Sequence, residues 1–173
     1  MGENGGRAMS HPSNVPEFGQ QAEGQMYAAR PGAYAVIFDA QDHIAVLETP
    51  RGCFLPGGGT EGDESPEETL LREVKEECGF EVGIMGRAGE AVEYVYTAGN
   101  EFGIRKECAF FGAMFGRECG AATEADHRLI WLAPREAQKR LAHDSQRWAV
   151  RQNFETGEAS TNGKATSRED GQI

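Results

Sequence analysis

"LPGGGTEGDESPEETLLREVKEECGF", residues 55–80, sets five glycines and eight Asp or Glu into twenty-six positions. Its second half reads as a helix with both ends marked. Ser65 is a good N-cap, Pro66 suits the first helical position, and Glu68 three residues on completes a capping box. Glu67 and Glu68 lie in the first turn, where the helix dipole favours negative charge. Gly79 is placed to end the helix in a left-handed cap, with Phe80 packing back onto it. The helix is therefore expected over residues 66–78. At about 100° per residue, Leu70, Leu71, Val74 and Cys78 share one stripe, which predicts the core face. Glu73, Glu76 and Glu77 share another, roughly 120° around the axis. Neighbouring carboxylates at these spacings repel by a few tenths of a kcal/mol per pair. Arg72 stands four residues before Glu76 and offsets only part of that repulsion.

An acidic run on a helix is usually a solvated face. The competing reading is a site for a hard cation, because Mg²⁺ takes oxygen ligands and completes its shell with water and substrate phosphate. Gly57, Gly58 and Gly59 allow tight backbone approach beside the acids, and "PGGG" is expected to be neither helix nor strand. A glycine-rich loop alone is weak evidence, since most are turns.

The full spacing separates the two readings. Gly58 is followed after five residues by Glu64, after seven more by Arg72-Glu73-Val74, after one by Glu76-Glu77, and after one by Gly79-Phe80. This resembles the box of the Nudix hydrolases, G-x5-E-x7-R-E-U-x-E-E-x-G-U with U bulky and apolar, at all seven strict and both apolar positions. The resemblance extends from about residue 30 to 153. "FLPGGG" is similar to the family's approach to the box, and "EADHRLIWLAPREAQKRL" to its later acidic loop, strand and helix.

The resemblance implies an α/β/α sandwich with a mixed sheet, and hydrolysis of a diphosphate linked to another moiety. Glu73, Glu76 and Glu77, with the backbone near Gly58, are implied as the metal site for Mg²⁺, with Mn²⁺ as the alternative ion. Arg72 is implied as an orienting residue and Glu64 as a structural or outer-sphere one. The general base commonly lies outside the box; Glu124 fits, with Asp126 beside it, although Glu76 or Glu77 can take the role. Gly57, Gly58, Arg51 and the Arg105-Lys106 pair are expected to meet the substrate. His127 reads as a loop histidine, His143 shows no ligand spacing, and Trp131 and Trp148 read as core. A nucleoside triphosphate or related nucleotide is the favoured substrate. The alternatives are a dinucleoside polyphosphate, faintly supported by Tyr96, and a non-catalytic nucleotide-binding module of the same fold. Members often form homodimers.

The rest of the 173-residue chain bounds these expectations. A net charge of −11 disfavours bulk nucleic acid as a partner and repels small anions unless a cation mediates. The four cysteines, Cys53, Cys78, Cys108 and Cys119, lack zinc spacing, and a reducing compartment is expected. With no signal-like or membrane-spanning run, the expectation is a cytoplasmic protein without a membrane partner. Apolar residues concentrate between about Ala33 and Val150. Residues 1–26 and 155–173 read as disordered tails around a domain over 27–154. "AYAVIFD" and "IAVLET" are expected to form a hairpin. Strands are expected at Phe54-Leu55, Ala91–Thr97, Lys106–Phe115 (central) and Arg128–Leu132, with "GNEFG" as a turn. Helices are expected from Pro134 and from about Asp144.

Overall fold

A computed structural model describes residues 15–96, 101–123 and 125–161. Residues 1–14, 97–100, 124 and 162–173 lie outside the described residues, and with them most of both expected tails, Thr97, part of the "GNEFG" turn and Glu124.

The chain runs β1 (Glu17–Phe18), β2 (Tyr27–Ile37), β3 (Ile44–Thr49), β4 (Gly52–Phe54), β5 (Gly57–Gly59), α1 (Pro66–Cys78), β6 (Phe80–Val95), β7 (Gly103–Glu118), β8 (Arg128–Leu132), α2 (Pro134–Arg140) and α3 (Asp144–Thr161). A five-stranded mixed sheet has the order β1-β6-β7-β2-β5, so β7 is central; a three-stranded antiparallel sheet has the order β4-β3-β8.

The pleat explains why helices cover both faces. Successive strand residues point to opposite sides. On β2, Ala33, Ala35 and Ile37 join Leu70 and Val74 of α1 in one core cluster. Tyr34 and Val36 face the other way, into a cluster with Ala137 of α2 and Ala149 and Val150 of α3. Both faces are buried, so β2 and β7 read as near-continuous apolar runs rather than as an alternation. The result is a mixed sheet between α1 on one side and α2 and α3 on the other.

Several expectations are corrected. β2 and β3 do not form a hairpin: apart from a single bridge, Phe38 to Ile44, they belong to different sheets. Gly57–Gly59 is a strand after all, antiparallel to Gly32–Tyr34 of β2. β1 lies within the expected N-terminal tail and pairs in parallel with Val92 and Glu93. α3 extends to Thr161, past the expected boundary at 154. Strand β6 begins at Phe80 rather than Ala91, and three register shifts against β7 interrupt its pattern. Leu71 is 45% exposed and Trp131 39%, so neither belongs to the core. No helix among the described residues is long and apolar enough to cross a membrane.

Candidate active site

Helix α1 carries the acidic face, and its ends are fixed as the sequence predicts. Ser65 accepts a hydrogen bond from the Glu68 N–H, and the Glu68 side chain accepts one from the Ser65 N–H. Gly79 closes the helix at φ 73°. The apolar side of α1 is set by Leu70 and Val74 against β2 and β7. That contact fixes the rotation of the helix and turns Glu73 and Glu77 towards β5.

Two glycines let β5 approach. Gly57 has φ 132°, a conformation that L side chains rarely adopt. At Gly58 an added Cβ would lie 2.5 Å from Cδ of Glu73. The Glu73 carboxylate therefore occupies the space a side chain would fill. The Gly57 N–H donates to Oε2 of Glu77 at 2.9 Å. Nδ1 of His127 lies 3.4 Å from Oε1 of the same carboxylate.

Arg72 organises the rest. Its Nε and Nη2 donate to the two oxygens of Glu64 at 2.7 and 3.0 Å, the forked geometry that suits guanidinium and carboxylate. Nη1 donates to Glu73 at 2.9 Å and to Glu76 at 3.2 Å, and Nη2 also donates to the Gly59 carbonyl at 3.0 Å. Chiefly through Arg72, helped by the Glu61 N–H, the Glu64 carboxyl is held down at about 2. One guanidinium thus ties the glutamate before the helix, the acidic face and the glycine strand together.

The acids do not all face one way. Glu73 and Glu77 border a cleft of about 710 Å³ with Gly57, Gly58 and Gly59. Glu76 has a 44% exposed side chain and borders a different hollow with Leu71 and Lys75. No three His, Cys, Asp or Glu side chains among the described residues converge as a metal-binding group. The donor set at the cleft still fits a hard cation. It is all oxygen, the carboxylates of Glu73 and Glu77 are on rigid backbone, and Gly58 brings its main chain against Glu73 where a Cβ would exclude it.

The same cleft also has basic and aromatic lining. Arg51, Lys106 and His143 border it, with Tyr34 and Phe54 as walls. Burial raises the pKa of Tyr34, and the negative charges of Glu73 and Glu77 add to the effect, so its phenol stays neutral. His143 packs on Phe54 with ring centroids 5.5 Å apart, and its Nδ1 is 3.1 Å from Oε1 of Glu93. Glu93 also accepts from the Ser145 hydroxyl at 2.5 Å and from the N–H groups of Asp144 and Ser145 at the start of α3. Burial raises the Glu93 pKa, but hydrogen bonds from His143 and Ser145 outweigh it and hold the carboxyl at about 2.

The structure therefore brings Arg51, Gly57, Gly58, Glu73 and Glu77 to one cleft, with Arg72 behind them. Glu76 is turned aside. Arg105 forms an ion pair with Glu107 and borders another cavity with Arg87 and Glu90. Glu124 lies outside the described residues; beside it, the N–H and hydroxyl of Thr123 donate to the Glu76 carbonyl at 2.8 and 3.1 Å. His143 and Gln146 had no sequence signal, because Glu93 and Leu55, which fix them, are 50 and 91 residues away.

A family model for the NUDIX domain matches residues 28–154. No curated protein matches the chain. Among solved structures, a NUDIX hydrolase from Nitrosomonas europaea superposes with a TM-score of 0.60 at 19% identity, covering 75% of this chain and 90% of that one. The MutT protein from Methanosarcina mazei Go1 gives 0.56 at 20%, covering 75% and 96%. The E. coli ORF135 protein gives 0.55 at 21%, covering 82% and 96%. At these identities the superpositions show a shared fold.

Proposed function

Since the chain belongs to the NUDIX domain family and is a Nudix-type pyrophosphohydrolase, we propose that it cleaves the diphosphate linkage of a nucleoside triphosphate or related nucleotide with the help of Mg²⁺. The observation that carries this reading is the complete box, with Glu73 and Glu77 held beside Gly57–Gly59 at the head of a substrate-sized cleft.

Glu73, Glu77 and the Gly58 main chain would hold the cation, and Glu76 would join after turning away from Arg72. When bound, the cation supplies charge neutralisation at the phosphate oxygens and acidifies an attacking water. Phosphoryl transfer needs positioning and electrostatic stabilisation more than covalent help. The chain's own groups divide that work. Arg72 fixes the Glu64 and Glu73 carboxylates. The Gly57 N–H fixes Glu77. Arg51 at the rim offers positive charge to the phosphates. Glu124 takes the proton of the attacking water, as the acidic loop before β8 implies.

The test is release of phosphate or pyrophosphate from a panel of nucleoside di- and triphosphates and dinucleoside polyphosphates with Mg²⁺. Turnover by the wild type, lost by about 10²-fold or more in a folded Glu77→Gln variant, supports the reading. Equal silence from both proteins favours a binding module.

A further inference from the structure

The basic residues of this acidic chain are mostly committed. Arg72, Arg87, Arg105, Arg117, Arg128, Arg140 and Arg147 each form an ion pair with a carboxylate. The described lysines and arginines without one are exposed, with a single exception. Lys106 is partly buried, lines the cleft, and forms no ion pair among the described residues.

Its neighbours explain why it stays unpaired. Arg105 and Lys106 are adjacent on β7, so the pleat sends them to opposite faces. Arg105 takes Glu107. Lys106 shares its face with Cys108, Phe110 and Tyr34, and its Nζ lies 5.4 Å from the centre of the Tyr34 ring. Glu93 stands directly across the ladder from Lys106. Its oxygens are already engaged by His143, Asp144 and Ser145. Burial lowers the pKa of Lys106, the mark of a cation kept from water. A second donor borders the same cleft. Gln146 is 1% exposed; its Oε1 accepts from the Leu55 N–H at 2.9 Å, and its buried Nε2 has no hydrogen-bond partner among the described residues.

We propose that Lys106 is a substrate-binding residue that takes a phosphate oxygen of the substrate, with the Gln146 amide as a neighbouring donor. This rests on the phosphoanhydride reading above and deepens it. A partly buried cation without an ion pair costs stability, offset only in part by the charge of Glu93, and buried donors without acceptors add to that cost. An acceptor-rich anion is the kind of group that satisfies a cation or an amide N–H; an amine or an apolar group satisfies neither. The cleft thus offers its substrate two unlike groups: carboxylates that need a cation between themselves and phosphate, and a lysine that needs none.

The proposal separates binding from folding, and two variants read it. Lys106→Met removes a charge that the free protein pays to keep, so its melting temperature stays equal to or above that of the wild type. Its KM for the best nucleotide of the panel rises about tenfold or more, the size of a lost hydrogen bond to a charged group. Lys106→Arg recovers part of that loss. With Mg²⁺ and inorganic pyrophosphate, the wild type gains melting temperature, and Lys106→Met gains less than half as much. An active enzyme whose KM and pyrophosphate shift are unchanged in Lys106→Met overturns the proposal. So does a Lys106→Met variant that melts several degrees lower with KM unchanged, since that is a structural lysine. A wild type silent on the whole panel refutes the substrate reading instead, and the pyrophosphate shift then decides on Lys106 alone.

Discussion

Gly58 and Arg72 are the residues on which the geometry of the acidic site turns. A methyl group at 58 would meet the Glu73 carboxylate at 2.5 Å from Cδ, so in Gly58→Ala that carboxylate must leave β5. The expected result is a 10- to 100-fold loss of metal affinity or activity, of the size seen when groups around a metal site are disturbed; titrating Mn²⁺ against activity checks it. Arg72→Lys keeps the charge but cannot fork onto Glu64 while reaching Glu73 and Gly59. We expect a similar loss in kcat/KM, and a variant with wild-type kinetics would remove Arg72 from the account. Much at this scale was legible, because the box fixes residue types at fixed spacings on one helix. The direction of Glu76 was not, since helical periodicity places it beside Glu73 and Glu77 and cannot say that Arg72 holds it aside. Lys106 was legible only as one of a pair; choosing between Arg105 and Lys106 required the phase of the β7 pleat.

Helix α1 is the element whose sequence and structure agree most closely. Its cap, its first proline and its left-handed terminus are local signals that need no tertiary partner. Ser65→Ala should cost about 1 kcal/mol in chemical denaturation, since it removes the acceptor for the Glu68 N–H. Elements whose partners lie far away were harder to read. β6 carries glycines at 83, 86 and 89 and three register shifts, which break the alternation that marks a strand. β5 is three glycines with no strand propensity, and exists because β2 offers it a ladder. The start of α3 depends on Glu93, and this gives a pH prediction. The Glu93 carboxyl falls from an ordinary 4.5 to about 2 on folding. A depressed carboxyl contributes stability in full above the unfolded value and loses it as pH falls towards the folded one. The melting temperature should therefore drop between about pH 4.5 and 2, and Glu93→Gln should flatten part of that slope. A variant with the wild-type acid limb would show that Glu93 does not set it.

On the scale of the whole molecule, the sandwich brings a strongly acidic helix and a partly basic cleft together in a chain of net charge −11. Such a chain repels an anionic substrate until a cation intervenes. Chelation should therefore abolish turnover, with Mg²⁺ or Mn²⁺ restoring it, while the fold persists, because the core clusters are built from hydrophobic side chains and use none of the acids. The layer order was legible from the box and the succession of strands and helices. The division into two sheets was not, because "AYAVIFD" and "IAVLET" are individually good strands and only long-range pairing with β7 and β8 parts them. The central claim is that Glu73 and Glu77, held against Gly57–Gly59, bind a divalent ion facing phosphate. Its most direct test is a Mn²⁺ titration of wild type and Glu77→Gln by electron paramagnetic resonance, with and without nucleotide. The account predicts saturable binding in the wild type, tightened by nucleotide and lost in the folded variant. Equal binding by both proteins, or none by the wild type even with nucleotide present, would contradict it.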